Sequence, residues 1–320
     1  MTNATDNKIM MALNSNGRHS YAKLAKELGV KPATVAKRVE ALLNNDVISI
    51  SAVPNPEKMG YKVMAVITLG VKLSEVDSVC AKLEDNPNIS SISTTFGRFD
   101  IILFVEYRNL EMLYKLVSEE IPNIGGIKTI ETFIISERKK RYQGFLDVDL
   151  NSNMPSPIDE IDEKLIAELR KNGRESFTTL AEIVGVSPAT VSRRVAYLTK
   201  NNVIKITVVP NPTKLGHSIV AFLGIQAELS KLNEICAQFS EYSQVPSVMT
   251  LMNGYNILAL VVQPSLQELS KFVTNAIARI DGVFNVETLI RAEFKKRTYL
   301  GFDLEERLRH PPGINHKSLI

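Results

Sequence analysis

The chain has 320 residues, 44% hydrophobic and 23% charged, as in a soluble globular protein long enough for two or more domains. A formal charge of +3 neither demands nor forbids a nucleic-acid partner, so any basic footprint has to be local. Apolar runs such as 101–105 and 257–262 are too short to cross a bilayer, residues 1–8 lack the apolar centre of a signal peptide, and two cysteines make no disulfide framework. The expectation is a cytoplasmic protein without membrane association.

The sequence repeats itself at an offset of 156 residues. Asn16-Gly17-Arg18 returns as Asn172-Gly173-Arg174, Pro32-Ala33-Thr34-Val35 as Pro188-Ala189-Thr190-Val191, and Val53-Pro54-Asn55-Pro56 as Val209-Pro210-Asn211-Pro212. The register holds without a gap from Asp6/Asp162 to Arg141/Arg297. A period this long is a duplicated protomer rather than a solenoid unit.

Each half opens with three short helical patterns. Ile9 and Leu13 begin a stripe that stops at Asn16-Gly17; Leu24, Ala25 and Leu28 form a second, closed by Gly29. Pro32 starts a third, with Val35, Val39 and Leu42 on one face. The second half repeats this with Leu180 and Ala181, then Gly185, Ser187-Pro188, and Val191, Val195 and Leu198. Two helices joined by a tight glycine-containing turn make a helix-turn-helix, whose second helix can enter the major groove. With the valines and leucine inward, Ala33 and Lys37 point outward, Ala36 and Glu40 lie nearby, and Arg38 takes the flank. The matching set is Ala189, Arg193, Ser192, Ala196 and Arg194. Small residues let the helix backbone approach the groove, and basic groups reach phosphates or guanine edges. The candidate DNA-facing residues are therefore Lys31, Pro32, Ala33, Thr34, Ala36, Lys37 and Arg38 in the first copy. In the second they are Ser187, Pro188, Ala189, Thr190, Ser192, Arg193 and Arg194. Glu40 is repelled by phosphates while Ala196 replaces it, and the helix charge is +2 over 31–44 against +3 over 187–200. The second unit is expected to contribute more affinity.

Short β-segments follow at 48–53 and 204–209. Strand 62–71, helix 74–83, strands 89–96 and 100–107, helix 109–120 and strand 127–138 then predict the order βαββαβ. In the second half Ser265 and Glu268 form a capping box opening the equivalent second helix. That order implies a four-stranded antiparallel sheet with both helices on one face, the ferredoxin-like arrangement. The middle strands meet at Gly97-Arg98-Phe99-Asp100 and at Asn253-Gly254-Tyr255-Asn256. These read either as plain hairpin turns or as loops offering N–H groups and a side-chain acceptor to a ligand. The predicted domains are helix-turn-helix 1–52, sensor 53–143, linker 144–158, helix-turn-helix 159–208, sensor 209–302 and a tail at 303–320. The fold class is α+β, two copies of a three-helix, winged-type unit followed by a ferredoxin-like domain.

Taken in order, Leu24-Ala25, Gly29-Val30, Val35, Arg38-Val39, Leu42 and Val47-Ile48, then Asn55-Pro56 and Lys58-Met59-Gly60, then Gly97-Arg98-Phe99-Asp100, resemble the Lrp/AsnC family of prokaryotic transcription regulators. The resemblance covers nearly the whole chain, twice. It implies a sensor that pairs through its sheets, an amino acid or similar small effector bound where sensor domains meet, and operator binding by paired helix-turn-helix units. Most members carry one such unit per chain. The tandem form departs from that and can supply in one polypeptide the pair of recognition helices, about 34 Å apart, that otherwise needs two subunits. The expected partners are double-stranded DNA, an amino-acid-like effector and further copies through the sensor domains; no cofactor or metal is expected.

The second loop departs from the family pattern, with Asn253 in place of Gly97 and Asn256 in place of Asp100. A neutral amide does not attract an ammonium group as a carboxylate does, so one half is expected to sense while the other mainly supports structure. Arg98 either attracts an effector carboxylate or is solvated, and solvation is the simpler expectation. Two rival functions remain: an enzyme similar to the sirohaem decarboxylases, which share this architecture in paired or fused halves, and an amino-acid sensor without a DNA role. Against the first, none of His19, His217, His310 and His316 lies on a middle sensor strand; against the second stand Lys37, Arg38, Arg193 and Arg194. Cys80 and Cys236 fall at equivalent positions on apolar helix faces, where buried packing is the expectation.

Overall fold

A computed structural model of the chain describes residues 3–140, 158–211 and 213–296. The predicted tail and all of the predicted linker except Ile158 lie outside the described residues. The chain forms two compact units, one gathering both helix triplets and the other both βαββαβ segments.

In the first unit the triplets are α1 (Ala4–Ser15), α2 (Tyr21–Leu28) and α3 (Pro32–Asn44), and α6 (Glu160–Lys171), α7 (Phe177–Val184) and α8 (Pro188–Lys200). Local chemistry sets their ends. Asn3 and Asp6 cap α1 reciprocally, each side chain accepting the other's backbone N–H at 3.0 Å, and Asp159 and Asp162 do the same for α6. Gly29 and Gly185 stop α2 and α7 in the left-handed conformation, at φ 66° and 73°, which turns the chain into the next helix. The apolar stripes of both triplets, including Ile9, Leu13, Val35, Val39, Leu165, Leu169, Val191 and Leu198, are fully or almost fully buried in one shared core.

The strand after each triplet finds its partner in the other copy. β1 (Ile48–Pro54) and β6 (Ile204–Pro210) pair antiparallel as a two-stranded ribbon with Ser51 opposite Thr207. Against this ribbon sit the two Asn-Gly-Arg turns. Gly17 N–H donates to Ile206 O (2.8 Å), and Gly173 N–H to Ile50 O (2.7 Å). A β-carbon on Gly173 would lie 2.8 Å from the Ser51 nitrogen, and one on Gly17 would lie 2.8 Å from the Ile50 side chain and 3.0 Å from the Thr207 nitrogen. The arginines then reach across. Arg18 donates to the carbonyls of Gly173 and Glu175 (2.9 and 3.0 Å) and lies over the Phe177 ring at 4.4 Å. Arg174 donates to the carbonyls of Gly17 and His19 and lies over the Tyr21 ring at 4.7 Å. Burial and the neighbouring Arg174 charge both push the Arg18 pKa down, a cost the carbonyl dipoles and the ring face offset.

In the second unit each half contributes four strands and two helices. The first half supplies β2 (Val63–Val71), α4 (Val76–Glu84), β3 (Ile89–Phe96), β4 (Ile101–Tyr107), α5 (Leu110–Lys115) and β5 (Ile127–Lys140). The second supplies β7 (Ile219–Ala227), α9 (Leu232–Glu241), β8 (Ser247–Leu251), β9 (Ile257–Gln263), α10 (Leu266–Asn275) and β10 (Val283–Lys296). The orders β3-β4-β2-β5 and β8-β9-β7-β10 are the ferredoxin-like sheets expected from the element order. Their edges join, β5 to β8 and β10 to β3, into a closed eight-stranded barrel that leaves neither sheet an open edge. One face of each sheet packs on its helices: Ala65, Ile67, Leu69, Leu103 and Val105 meet Val79, Cys80 and Leu83 in the first half. The opposite faces meet each other, with the rings of Phe104 and Phe222 5.8 Å apart. The helix predicted over 109–120 is regular only to Lys115; it widens over Leu116–Glu120 and tightens at Ile121–Asn123, where Pro122 has no N–H to continue the ladder.

Gly173→Ala should therefore strain the ribbon that joins the two copies, at a cost of about 1–3 kcal/mol. The lower thermal midpoint should be plain in scanning calorimetry. Gly125→Ala, where nothing lies within 4 Å of the added carbon, should leave the midpoint in place.

Candidate DNA-facing helices and effector loops

The two recognition helices, α3 and α8, begin differently. Ser187 caps α8, its hydroxyl accepting the Thr190 N–H at 3.1 Å, whereas Lys31 gives α3 no side-chain cap. Lys31, Pro32, Ala33, Thr34 and Lys37 are exposed on α3 with Ala36 half-buried; Ser187, Pro188, Ala189, Ser192 and Arg193 are exposed on α8 with Thr190 half-buried. The small, basic stripe read from helical periodicity thus faces outward in both copies. Lys37 and Arg193 make no ion pair or side-chain hydrogen bond among the described residues.

The flanking arginines are placed otherwise. Arg38 Nη1 lies 2.9 Å from Asp6 Oδ1, and Arg194 Nη1 lies 2.8 Å from Asp159 Oδ2 and 3.0 Å from Asp162 Oδ1. Each ties the recognition helix to the capping box that opens the same triplet. The hydrogen bonds it donates to Asp162 and Asp159 hold the Arg194 guanidinium pKa above its ordinary value. Because Asp6 and Asp162 are buried carboxylates, an arginine partner is what makes their burial tolerable. Local periodicity does not reveal these pairings, since Asp6 and Asp162 lie 32 residues upstream of their arginines, but both pairs recur at the repeat offset.

At the middle-strand junctions both loops are tied into the barrel. Asp100 accepts the Val71 N–H at 2.7 Å, and Asn256 accepts the Ala227 N–H at 2.7 Å through its side-chain oxygen. The substitution of Asn256 for Asp100 therefore keeps the same structural bond, and the carboxylate is already occupied by backbone. Thr95 donates to the carbonyl of buried Phe99 at 2.7 Å. Each loop leans on the last strand of the other half: a β-carbon on Gly97 (φ 141°) would meet the Leu289 side chain at 2.8 Å, and one on Gly254 (φ 71°) would meet the Phe133 ring at 2.5 Å. Asn253 adds two bonds to β5, donating to Thr132 O (2.7 Å) and accepting from Ile134 N–H (3.2 Å). Tyr255 stacks on Phe133 with ring centroids 5.3 Å apart.

Arg98 is exposed to solvent, and it also takes part in a charged cluster. Its guanidinium pairs with Glu131 at 2.5 Å, approaches Glu287 of the other half at 3.9 Å, and lies over the Phe99 ring at 4.8 Å. Glu287 also accepts the Tyr255 hydroxyl, and burial together with that bond pushes the phenol pKa well above its usual value. Glu131 and Glu287 are equivalent positions at the 156-residue offset, so one arginine serves two related glutamates.

Cys80 and Cys236 are buried as expected, and burial raises both thiols to about 11. Among the described residues no group of three or more His, Cys, Asp or Glu side chains could hold a metal ion, and no helix is long and apolar enough to cross a membrane.

Comparison with known proteins places both halves. The AsnC-type helix-turn-helix domain matches residues 3–43 and 158–199, and the Lrp/AsnC ligand binding domain matches 64–145 and 220–300. An uncharacterised HTH-type transcriptional regulator of Pyrococcus furiosus is 32% identical over 143 residues, 44% of this chain and 97% of that protein. The HTH-type transcriptional regulator Ptr1 of Methanocaldococcus jannaschii is 32% identical over 132 residues, 40% of this chain and 89% of its own length. Over 95% of this chain and 96% of the other, the siroheme decarboxylase NirDL has a similar fold, with a TM-score of 0.65 and 15% identity.

Removing the turn acceptor should cost the same in both halves. Asp100→Ala and Asn256→Ala each leave a strand N–H unpaired, worth about 1–3 kcal/mol, while Asp100→Asn and Asn256→Asp keep the bond and the thermal midpoint. Denaturation of the four variants side by side checks this.

Proposed function

The chain belongs to the Lrp/AsnC family of transcription regulators in duplicated form, and from that premise we propose that it binds operator DNA through α3 and α8 as an intrachain pair and responds to an amino acid or related small molecule. The observation that carries this reading is the pairing inside the first unit. Two outward stripes of small and basic residues sit on helices that share one core, one β-ribbon and one reciprocal arginine clasp. Such an arrangement suits two half-sites about one helical turn, 34 Å, apart. Lys31, Pro32, Ala33, Thr34, Ala36 and Lys37, with Ser187, Pro188, Ala189, Thr190, Ser192 and Arg193, form the DNA-facing set. Arg38 and Arg194 act by holding those helices in place.

Effector binding is assigned to the loops 97–100 and 253–256 with the cluster beside them. Since Asp100 and Asn256 both serve the backbone, the charged groups left to meet an amino acid are Arg98, Glu131 and Glu287. A carboxylate on Arg98 and an ammonium group on the two glutamates would exchange one ion-paired network for another. Exposed apolar side chains at equivalent positions, Phe96 with Met252 and Leu73 with Leu229, support self-association through the sensor domains.

The fold likeness to a siroheme decarboxylase motivates the second reading, an enzyme. The histidine of the described sensor segments, His217, is buried and precedes β7, whereas acid–base chemistry would call for such groups at the loops. A tetrapyrrole absorbance band retained through purification would favour the enzyme.

Two outcomes test the regulator. Against a duplex selected from a random pool, Arg193→Ala should weaken binding by roughly tenfold, and more than Lys37→Ala, because Arg193 can make a bidentate contact and Glu40 opposes the first helix. Equal losses in anisotropy titrations would remove the ranking. In a thermal-shift screen of the amino acids and their keto acids, at least one compound should raise the midpoint. Arg98→Ala should abolish that shift and Asp100→Asn should keep it; the reverse pattern would move the site to Asp100.

A further inference from the structure

We propose that Lys214, a residue of the second copy, contacts the DNA phosphate backbone beside the recognition helix of the first copy, so that the footprint of α3 is assembled from both halves. The proposal rests on the DNA-binding reading. Its starting point is a groove of about 900 Å³ along α3, open to solvent. One wall is the outward stripe Ala33, Lys37 and Ala41, spaced four residues apart. The Arg38–Asp6 pair lines it too, and so does Lys214. Arg38 and Asp6 cancel one another, which leaves Lys37 and Lys214 as two exposed cations without an ion pair among the described residues. The alanines at 33 and 41, on either side of Lys37 along the helix, keep this wall of the groove low.

The position of Lys214 is built rather than accidental. It lies in the short turn Thr213–Leu215, whose Leu215 side chain is buried in the core shared by both triplets. Just before it, Asn211 N–H donates to Val47 O at 2.9 Å and Asn211 Nδ2 donates to Asp46 Oδ2 at 2.7 Å, clipping the second copy's chain to the end of α3 in the first. Leu215 N–H closes the turn on Asn211 O at 3.1 Å. The lysine is thereby anchored against a helix 177 residues away in sequence, the span from Lys37 to Lys214. The second recognition helix differs at this place, since Tyr197 stands where α3 has Ala41. Its counterpart at the 156-residue offset is Lys58, and Asn55 N–H donates to Val203 O at 2.8 Å as Asn211 does to Val47 O.

A phosphate contact is independent of sequence and leaves its mark in the salt dependence of binding. The probe is a mixed-sequence duplex of about 30 base pairs, long enough for two half-sites a helical turn apart. Titrated by anisotropy over a range of potassium chloride, Lys214→Gln should bind several-fold more weakly and lower the slope of log K against log salt by about 0.9. Lys128→Gln takes the same charge from the sensor unit and should change neither quantity. An unaltered slope for Lys214→Gln, or an equal loss in Lys128→Gln, overturns the assignment. Absence of any salt-dependent binding by the unsubstituted protein would overturn the DNA reading itself, a result distinct from either. Because Lys214 is exposed and has no ion pair among the described residues, the melting curve of Lys214→Gln should overlay that of the unsubstituted chain, and a binding loss accompanied by a lower midpoint would count against a direct contact.

Discussion

Two glycines set how near the copies can come. At Gly17 and Gly173 the chain passes so close to the β1–β6 ribbon that a single methyl group would collide with the ribbon's backbone or side chains. That closeness brings Arg18 and Arg174 within reach of carbonyls on the opposite turn, and it lets Ser51 and Thr207 bond the ends of α6 and α1. The recognition helices are third in each triplet, so their separation follows from this approach. Geometry that other systems obtain from a dimer interface is here an internal property of one chain.

Duplication has not kept the copies interchangeable. The first recognition helix carries Glu40 and lacks a side-chain cap; the second carries Arg193, Ser187 and Tyr197. In the barrel one arginine, Arg98, serves both glutamates, because its counterpart is Gly254. The charge at this centre is therefore not two-fold symmetric, although the strands that frame it are. Where substitution has left function open it has preserved architecture: Asn256 accepts the same strand N–H as Asp100.

Much of this was legible in the residues, and the limits have a physical pattern. Whatever depends on the next four residues could be read. The stripes of α3 and α8, the left-handed stops at Gly29 and Gly185 and the βαββαβ order all follow from local periodicity and turn chemistry. What depends on a partner far along the chain could not. Seven residues of β1 say that a strand forms and nothing about β6. A helical wheel places Arg38 on a flank but does not show that Asp6 waits there. The Asn-Gly-Arg turns stood out as the repeat's own signature, and only the fold explains why glycine and arginine are adjacent in both.

The barrel also has a consequence for how the protein is made. Its two seams join β5 to β8 and β10 to β3, and the ribbon joins β1 to β6, so every one of these pairings spans more than a hundred residues. During synthesis the first copy emerges with both sheet edges open and half a ribbon, exposing strands that invite pairing with another chain. Closure must await the last strand, β10, which places the slowest contacts at the end of translation. The nascent first half is thus the aggregation-prone stage of this protein's life, and its folding speed is bounded by how long the ribosome takes to deliver the second.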